Sequence, residues 1–152
     1  LALPGLLAGP PLTPREEADV AFGWMLAKEL GRHDIGQTVV VRHRAPLALE
    51  AIEGTDECIR RAGQVCPAGG MVVVKVAKPQ QDPRFDMPTV GIGTLRSLVA
   101  ARARVLAIEA GNTILVDGEE LARFAEEHGI TITSVPPGAF AVGAGDGERR
   151  AA

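Results

Sequence analysis

The sequence contains no tyrosine, and aromatic residues make up only 3% of its 152 residues. A tyrosine acid or nucleophile is therefore excluded, and few side chains remain on which nucleic acid bases can stack. The net charge of −3 gives no general attraction for nucleic acid either. We therefore expect no nucleic acid partner.

Cysteine and histidine are also scarce. The two cysteines, Cys58 and Cys66, and the three histidines form neither a Cys-x-x-Cys nor a His-Glu-x-x-His pattern, so we expect no zinc site. A Cys58–Cys66 disulfide is the alternative to a reduced cytoplasmic protein, which is the simpler interpretation.

No apolar run is long enough to span a membrane. Residues 1–12 are apolar but interrupted by prolines and lack a basic region, so we do not expect them to act as a signal peptide.

The rest of the chain alternates between strand and helix patterns. It predicts one domain over residues 14–135, after an irregular, proline-rich lead-in at residues 1–13 and before a flexible tail at 136–152. Helices are predicted at 14–30, 55–65, 92–103 and 118–128, and strands at 38–42, 47–51, from 71 onward, and at 105–109, 113–116 and 130–135. The alternation predicts an α/β fold with a mixed, mainly parallel sheet covered by helices.

Three residue assignments within the helices can be tested against a structure. Gly31 is expected to stop the first helix, because glycine is a common helix terminator. Trp24 is expected to anchor the core rather than to serve as a substrate platform. In the second helix, Val65 should face inward together with Ile59 and Ala62, since the three residues recur at a helical spacing.

The stretch from Met71 to Gly91 is the strongest functional feature. It starts as an apolar, β-branched run and continues into a loop that carries Pro79, Pro83 and Pro88. The loop and the strand before it hold charges of both signs: Lys75, Lys78, Asp82, Arg84 and Asp86. Prolines restrict the backbone, and loops on rigid strands are common places for sites. We interpret the stretch as functional, with ordinary surface charge as the alternative.

Acidic residues follow three of the predicted strands: Glu50 and Glu53, then Asp82 and Asp86, then Glu109. In parallel sheets, ligands bind beyond the carboxyl ends of the strands. If these strands are parallel neighbours, the acids converge at one edge. The sequence itself does not fix that topology.

Clustered carboxylates with Lys and Arg beside them suit phosphate chemistry. Carboxylates hold Mg²⁺, a water activated by the metal can attack phosphorus, and Lys and Arg neutralise phosphate oxygens. Asp86 would bind the metal or orient the water. The sequence has no Gly-x-Ser-x-Gly motif, Walker loop or dinucleotide fingerprint. The residues therefore indicate an anionic-ligand site, and a non-catalytic sugar-phosphate-binding or protein-interaction domain remains the alternative.

A series of short motifs resembles the C-terminal domain of the LpxI-type UDP-2,3-diacylglucosamine pyrophosphatases. The resemblance covers roughly residues 14 to 135. Each motif is weak alone, but their order and spacing are specific. The motifs are Asp34–Gln37, Glu50–Asp56, Lys75–Pro79, Gln81–Asp82, Arg84–Asp86, Pro88–Gly91, Ala107–Gly111 and Val116–Asp117.

The resemblance implies a Mg²⁺-dependent hydrolase of lipid A biosynthesis. Such enzymes cleave the pyrophosphate of UDP-2,3-diacylglucosamine by attack of water on the β-phosphorus. The products are UMP and 2,3-diacylglucosamine 1-phosphate, known as lipid X. The family works in the cytoplasm at the inner face of the membrane, as a peripheral enzyme without a transmembrane helix. The resemblance leaves homo-oligomerisation open.

The resemblance also implies roles for particular residues. Asp86 matches the catalytic aspartate of the family's Asp-x-Pro-Thr motif and is the first candidate metal ligand. The other expected metal ligands are Glu50 and Glu53, and the expected substrate-binding residues are Gln37, Thr55, Lys75, Lys78 and Arg84.

One departure from the family concerns its N-terminal domain, which this chain lacks. In the family, the substrate is held between the N-terminal and C-terminal domains. Residues 1–13 resemble the interdomain linker, and the first residue is Leu1 rather than methionine. We therefore expect this chain to supply one wall of the active site, either as a fragment or as one component of a split enzyme. Whether it is active without the N-terminal domain stays open.

Overall fold

Strands and helices alternate within residues 1–82 and 84–140, which a computed structural model of the protein describes. The helices are α1 (Pro14–Arg32), α2 (Thr55–Val65), α3 (Ile92–Ala101) and α4 (Gly118–Glu127). The strands are β1 (Gly5–Ala8), β2 (Thr38–Arg42), β3 (Ala45–Leu49), β4 (Val72–Lys75), β5 (Thr89–Val90), β6 (Val105–Glu109), β7 (Ile114–Leu115) and β8 (Thr131–Val135). This order confirms the predicted α/β class.

The central sheet has the strand order β1-β8-β6-β4-β2-β3. β4 pairs in parallel with β6, and β6 pairs in parallel with β8. β2 runs antiparallel to both β3 and β4, so β3 points in the same direction as β4. Four strands, β3, β4, β6 and β8, thus share one direction, which confirms the prediction of a mixed, mainly parallel sheet.

The two faces of the sheet are covered by different helices. Successive side chains of a strand point to opposite faces. Val72 and Val74 therefore pack under α1, whereas Val73 packs toward the side of α2, α3 and α4, and all three valines are fully buried. Burying each of these side chains stabilises the fold by about 1.5–3 kcal/mol. Trp24 belongs to the core under α1, as predicted.

Helix α1 begins as predicted but ends later. The Thr13 hydroxyl accepts a hydrogen bond from the Glu16 amide, and the Glu16 carboxylate accepts one from the Thr13 amide, which forms a capping box. The prediction that Gly31 stops the helix is wrong. Gly31 lies inside α1, and the chain leaves the helix beyond His33, where Asp34 takes the left-handed conformation with φ 55°.

The prediction of an irregular lead-in is wrong for Gly5–Ala8, which forms β1 at the edge of the central sheet. β1 pairs antiparallel with β8, and Gly5 is opposite Ser134. Short, proline-flanked segments carry little local strand signal. The pairing depends on a strand more than a hundred residues away, so it could not be read from the local pattern.

Three smaller findings concern the pairing of β7, the exposure of Val65 and the predicted tail. The strand predicted at 113–116 is β7, which pairs with β5 in a separate two-stranded ribbon rather than in the central sheet. Val65 is exposed, because residues spaced three apart drift about 60° around a helix at each step. Within the predicted tail, Phe140 packs edge-on against Trp24 with ring centroids 5.9 Å apart, and residues 141–152 lie outside the described residues.

Neither membrane-spanning helices nor disulfides are found in the described part of the chain. None of the helices there is both long and apolar enough to cross a bilayer. Cys58 and Cys66 are both free thiols. Burial raises the pKa of the Cys58 thiol to about 12.

Candidate functional site

The candidate site lies along one edge of the central sheet, where β3, β4 and β6 end and β2 begins. Lys75 is the last residue of β4, and Glu109 is the last residue of its parallel neighbour β6. Glu50 directly follows β3, and its amide donates to the carbonyl of Thr38 at the start of β2, at 2.9 Å. The structure therefore places Glu50, Lys75 and Glu109 at the same edge.

One half of this edge is buried and is centred on Lys75. The side chain is only 7% exposed, and its Nζ donates to the Thr89 carbonyl at 3.0 Å. Burial lowers the pKa of Lys75, while the nearby carboxylates of Glu50 and Asp56 oppose that shift. The strand thus holds a desolvated amine close to acidic side chains.

The buried half also contains a chain of hydroxyl and carboxylate groups. The Thr55 hydroxyl, at the start of α2, donates to Glu50 Oε2 at 3.3 Å and lies 3.2 Å from the Thr38 hydroxyl. Gln37 joins this half through its carbonyl, which accepts from the Val76 amide at 3.0 Å. Within the described residues, Gln37 Oε1 is buried without a hydrogen-bond partner. Thr55 and Lys75 thus both lie near Glu50, whereas the contact of Gln37 with this half is made by its backbone.

The backbone of the buried half is closely packed at Gly36. A Cβ atom at this position would lie 2.1 Å from the carbonyl oxygen of Glu50. Such a distance is far inside van der Waals contact, so only glycine fits. Gly36 belongs to the Asp34–Gln37 motif, and its role explains why that motif needs a glycine.

The other half of the edge is an open pocket of about 220 Å³ beyond the ends of β4 and β6. It contains two lysines, two carboxylates and amide groups. The lining residues are Lys28, Ala77, Lys78, Pro79, Gln81, Asp86, Met87, Pro88, Glu109 and Asn112. This composition can receive an anion and offers carboxylate oxygens to a cation.

Asp86 lies on the exposed side of this pocket. Its amide donates to the Asp82 carbonyl at 2.9 Å, which fixes the turn that presents the side chain. Its carboxylate has a long hydrogen bond from Gln81 Nε2 at 3.4 Å. The carboxylate is therefore accessible to a ligand or to water.

Lys78 connects the pocket to the Asp34–Gln37 motif. Its Nζ donates to Asp34 Oδ1 at 2.9 Å, and this ammonium lowers the pKa of the Asp34 carboxyl. Lys78 itself is largely buried, while Asp34 is exposed. The ion pair holds the lysine at the pocket wall.

Glu109 is a buried carboxylate whose two oxygens both have donors. Oε2 accepts from the Ala77 amide at 2.8 Å and from Lys28 Nζ at 2.5 Å, and Oε1 accepts from Asn112 Nδ2 at 3.0 Å. The side chain is 2% exposed. Glu109 therefore lies at the pocket as predicted, but its carboxylate oxygens already accept hydrogen bonds from groups of the protein.

Two predicted site residues lie apart from both halves. Arg84 forms an exposed ion pair with Asp82 at 2.8 Å and does not line the pocket. Glu53 is paired with Arg61, and its pKa is lowered by backbone amides and by that guanidinium. The substrate-binding role of Arg84 stays a prediction, with surface charge as its alternative.

The expected metal ligands do not form a ready-made cluster. The described residues contain no group of three or more His, Cys, Asp or Glu side chains that could hold a metal ion. Glu53 is turned toward Arg61, and Glu50 toward Thr55. Asp86 alone has accessible oxygens at the pocket. This fits the common arrangement in which Mg²⁺ has one or two carboxylates and completes its shell with phosphate oxygens and waters.

Sequence reasoning did not select Lys28 or Asn112, and it gave Glu109 no role beyond its position at a strand end. The scarcity of lysine in the sequence could, however, have drawn attention to Lys28. The chain has three lysines, Lys28, Lys75 and Lys78, against thirteen arginines, and all three lie at this edge.

Comparison with known proteins identifies the family of this chain. The sequence profile of the LpxI C-terminal domain matches residues 4–133. The chain belongs to the LpxI C-terminal domain family. The UDP-2,3-diacylglucosamine pyrophosphatase LpxI of Caulobacter vibrioides is 38% identical over 133 residues, which cover 82% of this chain and 47% of that protein. This chain therefore spans about half the length of its LpxI relative. The matched region includes β1, in agreement with its place in the central sheet.

Proposed function

We propose that this chain is the part of an LpxI-type UDP-2,3-diacylglucosamine pyrophosphatase that carries the catalytic aspartate. The proposal rests on one observation above all: an LpxI C-terminal domain presents Asp86 in a pocket beside two lysines. The whole protein would hydrolyse UDP-2,3-diacylglucosamine to UMP and lipid X. The name of the Caulobacter relative supplies the substrate.

In this mechanism, Asp86 positions the attacking water and takes up its proton. The water oxygen bonds to the β-phosphorus, and the bond from that phosphorus to the bridging oxygen breaks. UMP leaves with the bridging oxygen, and lipid X keeps the oxygen that came from water. The accessible carboxylate of Asp86 suits this role, since a general base must reach the proton that it removes.

The lysines would bind the pyrophosphate. Lys78 lies at the pocket wall, and Lys75 ends the strand that leads into it. A lysine ammonium acts on phosphate as a compact point charge. Gln37 and Thr55 are proposed as further substrate-binding residues. The Gln37 side chain would donate to a phosphate oxygen through Nε2, since its Oε1 only accepts hydrogen bonds.

Mg²⁺ is proposed as the cofactor, with Asp86 as its protein ligand. When bound, Mg²⁺ would neutralise charge on the phosphate oxygens and so favour attack by water. Glu50 is better placed to balance Lys75 than to bind this metal, because its Oε2 accepts from Thr55.

The second wall of the active site would come from an N-terminal domain of the same enzyme. Support for this proposal comes from the length of the Caulobacter relative, of which this chain covers 47%. A diacylated substrate would also bring the protein into peripheral contact with the inner face of the cytoplasmic membrane.

The test is UMP release from UDP-2,3-diacylglucosamine by the protein that contains this chain and its N-terminal domain. We expect release with Mg²⁺ and its loss when EDTA removes the metal, with recovery when Mg²⁺ is restored. Substrate binding without UMP release would contradict the proposal and favour the non-catalytic alternative. Release that is unaffected by EDTA would contradict the role of the metal.

A further inference from the structure

The three lysines of the chain are gathered at the candidate site, and Lys28 is the one without an assigned role. It reaches the pocket from helix α1, on the face of the sheet opposite to α2 and α3. Lys78 reaches the same pocket from the loop after β4. Because the rest of the cationic surface uses arginine, this placement sets Lys28 apart from ordinary surface charge.

The contacts of Lys28 fix its ammonium group at the pocket wall. Nζ donates to Glu109 Oε2 at 2.5 Å and to the Ala77 carbonyl at 3.2 Å, and it lies 5.6 Å from the centroid of the Trp24 ring. A protonated lysine has three N–H groups. Within the described residues, two of them have acceptors, so one is left for a ligand in the pocket.

Glu109 provides the support for this arrangement. Both of its oxygens accept hydrogen bonds inside the protein, and one of them also holds the Ala77 amide at 2.8 Å. The same carboxylate thus fixes Lys28 and the backbone where the chain leaves β4 toward Lys78. Its internal bonding makes it unsuited to bind a metal or an incoming ligand directly.

We infer that Lys28 is a phosphate-binding residue of the pocket and that Glu109 is its positioning residue. This inference rests on the proposed function and gives its pocket a cation from α1 in addition to Lys78. Lys28 and Lys78 approach from different elements, so together they can hold a group with two phosphates. The ligand class is a pyrophosphate or another phosphate ester.

The experiment is a titration of the 152-residue chain with inorganic pyrophosphate, followed by NMR of the lysine side-chain amines. Three lysines give few signals, and each is assigned by its Lys→Met variant. We expect pyrophosphate to shift the signals of Lys28 and Lys78, and Lys28→Met to weaken binding by about tenfold, the effect of losing one charge-assisted contact. Arg32→Met, one turn further along α1, removes the same charge outside the pocket and should leave affinity unchanged.

A second variant separates ligand binding from folding. Lys28→Met leaves Glu109 as a buried unpaired charge, which can destabilise the fold. The double variant Lys28→Met with Glu109→Gln removes both charges and should fold with equally weak pyrophosphate binding. Lys28→Arg should restore part of the affinity.

The positioning role of Glu109 has its own signature. Glu109→Gln alone should weaken pyrophosphate binding and move the Lys28 signal, yet it should cause no further loss in the Lys28→Met background. Wild-type affinity in Lys28→Met, a stationary Lys28 signal at saturation, or no binding by the chain would overturn the inference. Pyrophosphate binding as expected, combined with an inactive whole protein, would instead reject the proposed function and leave the inference standing.

Discussion

The two halves of the candidate site differ in how firmly the protein holds their charges. In the buried half, Lys75 and Glu50 are 7% and 8% exposed and are enclosed by strand ends and the start of α2. In the open half, Asp86 is exposed and has a long hydrogen bond from Gln81. The fold thus encloses Lys75 and Glu50, as it encloses Glu109 at the wall of the open half, and it presents the carboxylate of Asp86 to a substrate.

This difference predicts that substitutions of the buried charges mainly change the stability of the fold, whereas substitution of the exposed carboxylate mainly changes activity. A charge buried among strand ends is part of the folded structure, so changing it alters the free energy of unfolding. An exposed carboxylate on a loop contributes little to stability and can be changed with the fold intact. Asp86 is therefore the position where a loss of activity can be assigned to chemistry.

The largest effect on stability should come from Gly36→Ala in the buried half. The added Cβ would lie 2.1 Å from the Glu50 carbonyl oxygen, so the ends of β2 and β3 must move apart. We expect a loss of about 3 kcal/mol in the free energy of unfolding, measured with urea.

Gly93→Ala in α3 is the matched control. A Cβ at Gly93 would have no heavy atom within 4 Å in the described part of the chain, and alanine favours the α3 helix by about 0.5–1 kcal/mol. Equal destabilisation by the two changes would contradict the close packing of Gly36 against Glu50.

A smaller effect is expected from Lys75→Met, and it should depend on pH. Burial lowers the pKa of Lys75 below 10.5 in the folded protein, so the unfolded chain binds the proton more strongly. Stability should therefore rise as pH increases from the lowered pKa toward 10.5. Lys75→Met should lose this rise. The measurement is the free energy of unfolding in urea across that pH range.

Lys78→Met is the control for the pH effect, since it removes a lysine at the same edge and keeps Lys75. It should retain the rise in stability. An unchanged pH profile in Lys75→Met would show that Lys75 is not the group responsible.

The smallest effect should come from Glu53→Gln. Glu53 is paired with Arg61 near the surface, away from the pocket. We expect the rate of UMP release by the whole protein to change by less than about twofold, because exposed ion pairs contribute little. A loss of UMP release as large as that in Asp86 variants would support Glu53 as a metal ligand.

The sequence predicted those parts of the site that local patterns encode. Lys75 at the end of an apolar strand and Asp86 on a proline-containing loop could be identified without a structure. Lys28 could not, because it lies in the middle of a helix and reaches the pocket only through the packing of α1 on the sheet. Likewise, β1 was missed because its pairing with β8 joins the two ends of the domain.

Glu109 and Glu53 show a further limit of sequence reasoning. Both are acids that follow predicted strands, and both could have bound a metal on that basis. In the structure, Glu109 has internal donors on both oxygens and Glu53 is paired with Arg61, and the metal-binding role of Glu53 stays a prediction. Residue type and spacing locate a charge along the chain, but its partners depend on tertiary contacts.

The most direct test of the central claim compares Asp86→Asn with Asp82→Asn in the whole protein. Both variants remove one carboxylate from the same loop, but only Asp86 lines the pocket. We predict that Asp86→Asn lowers the rate of UMP release by about a thousandfold, within the range for loss of a general base. Asp82→Asn should stay within about threefold of wild type, since its carboxylate serves an exposed ion pair with Arg84. Equal rates in the two variants would contradict the assignment of Asp86.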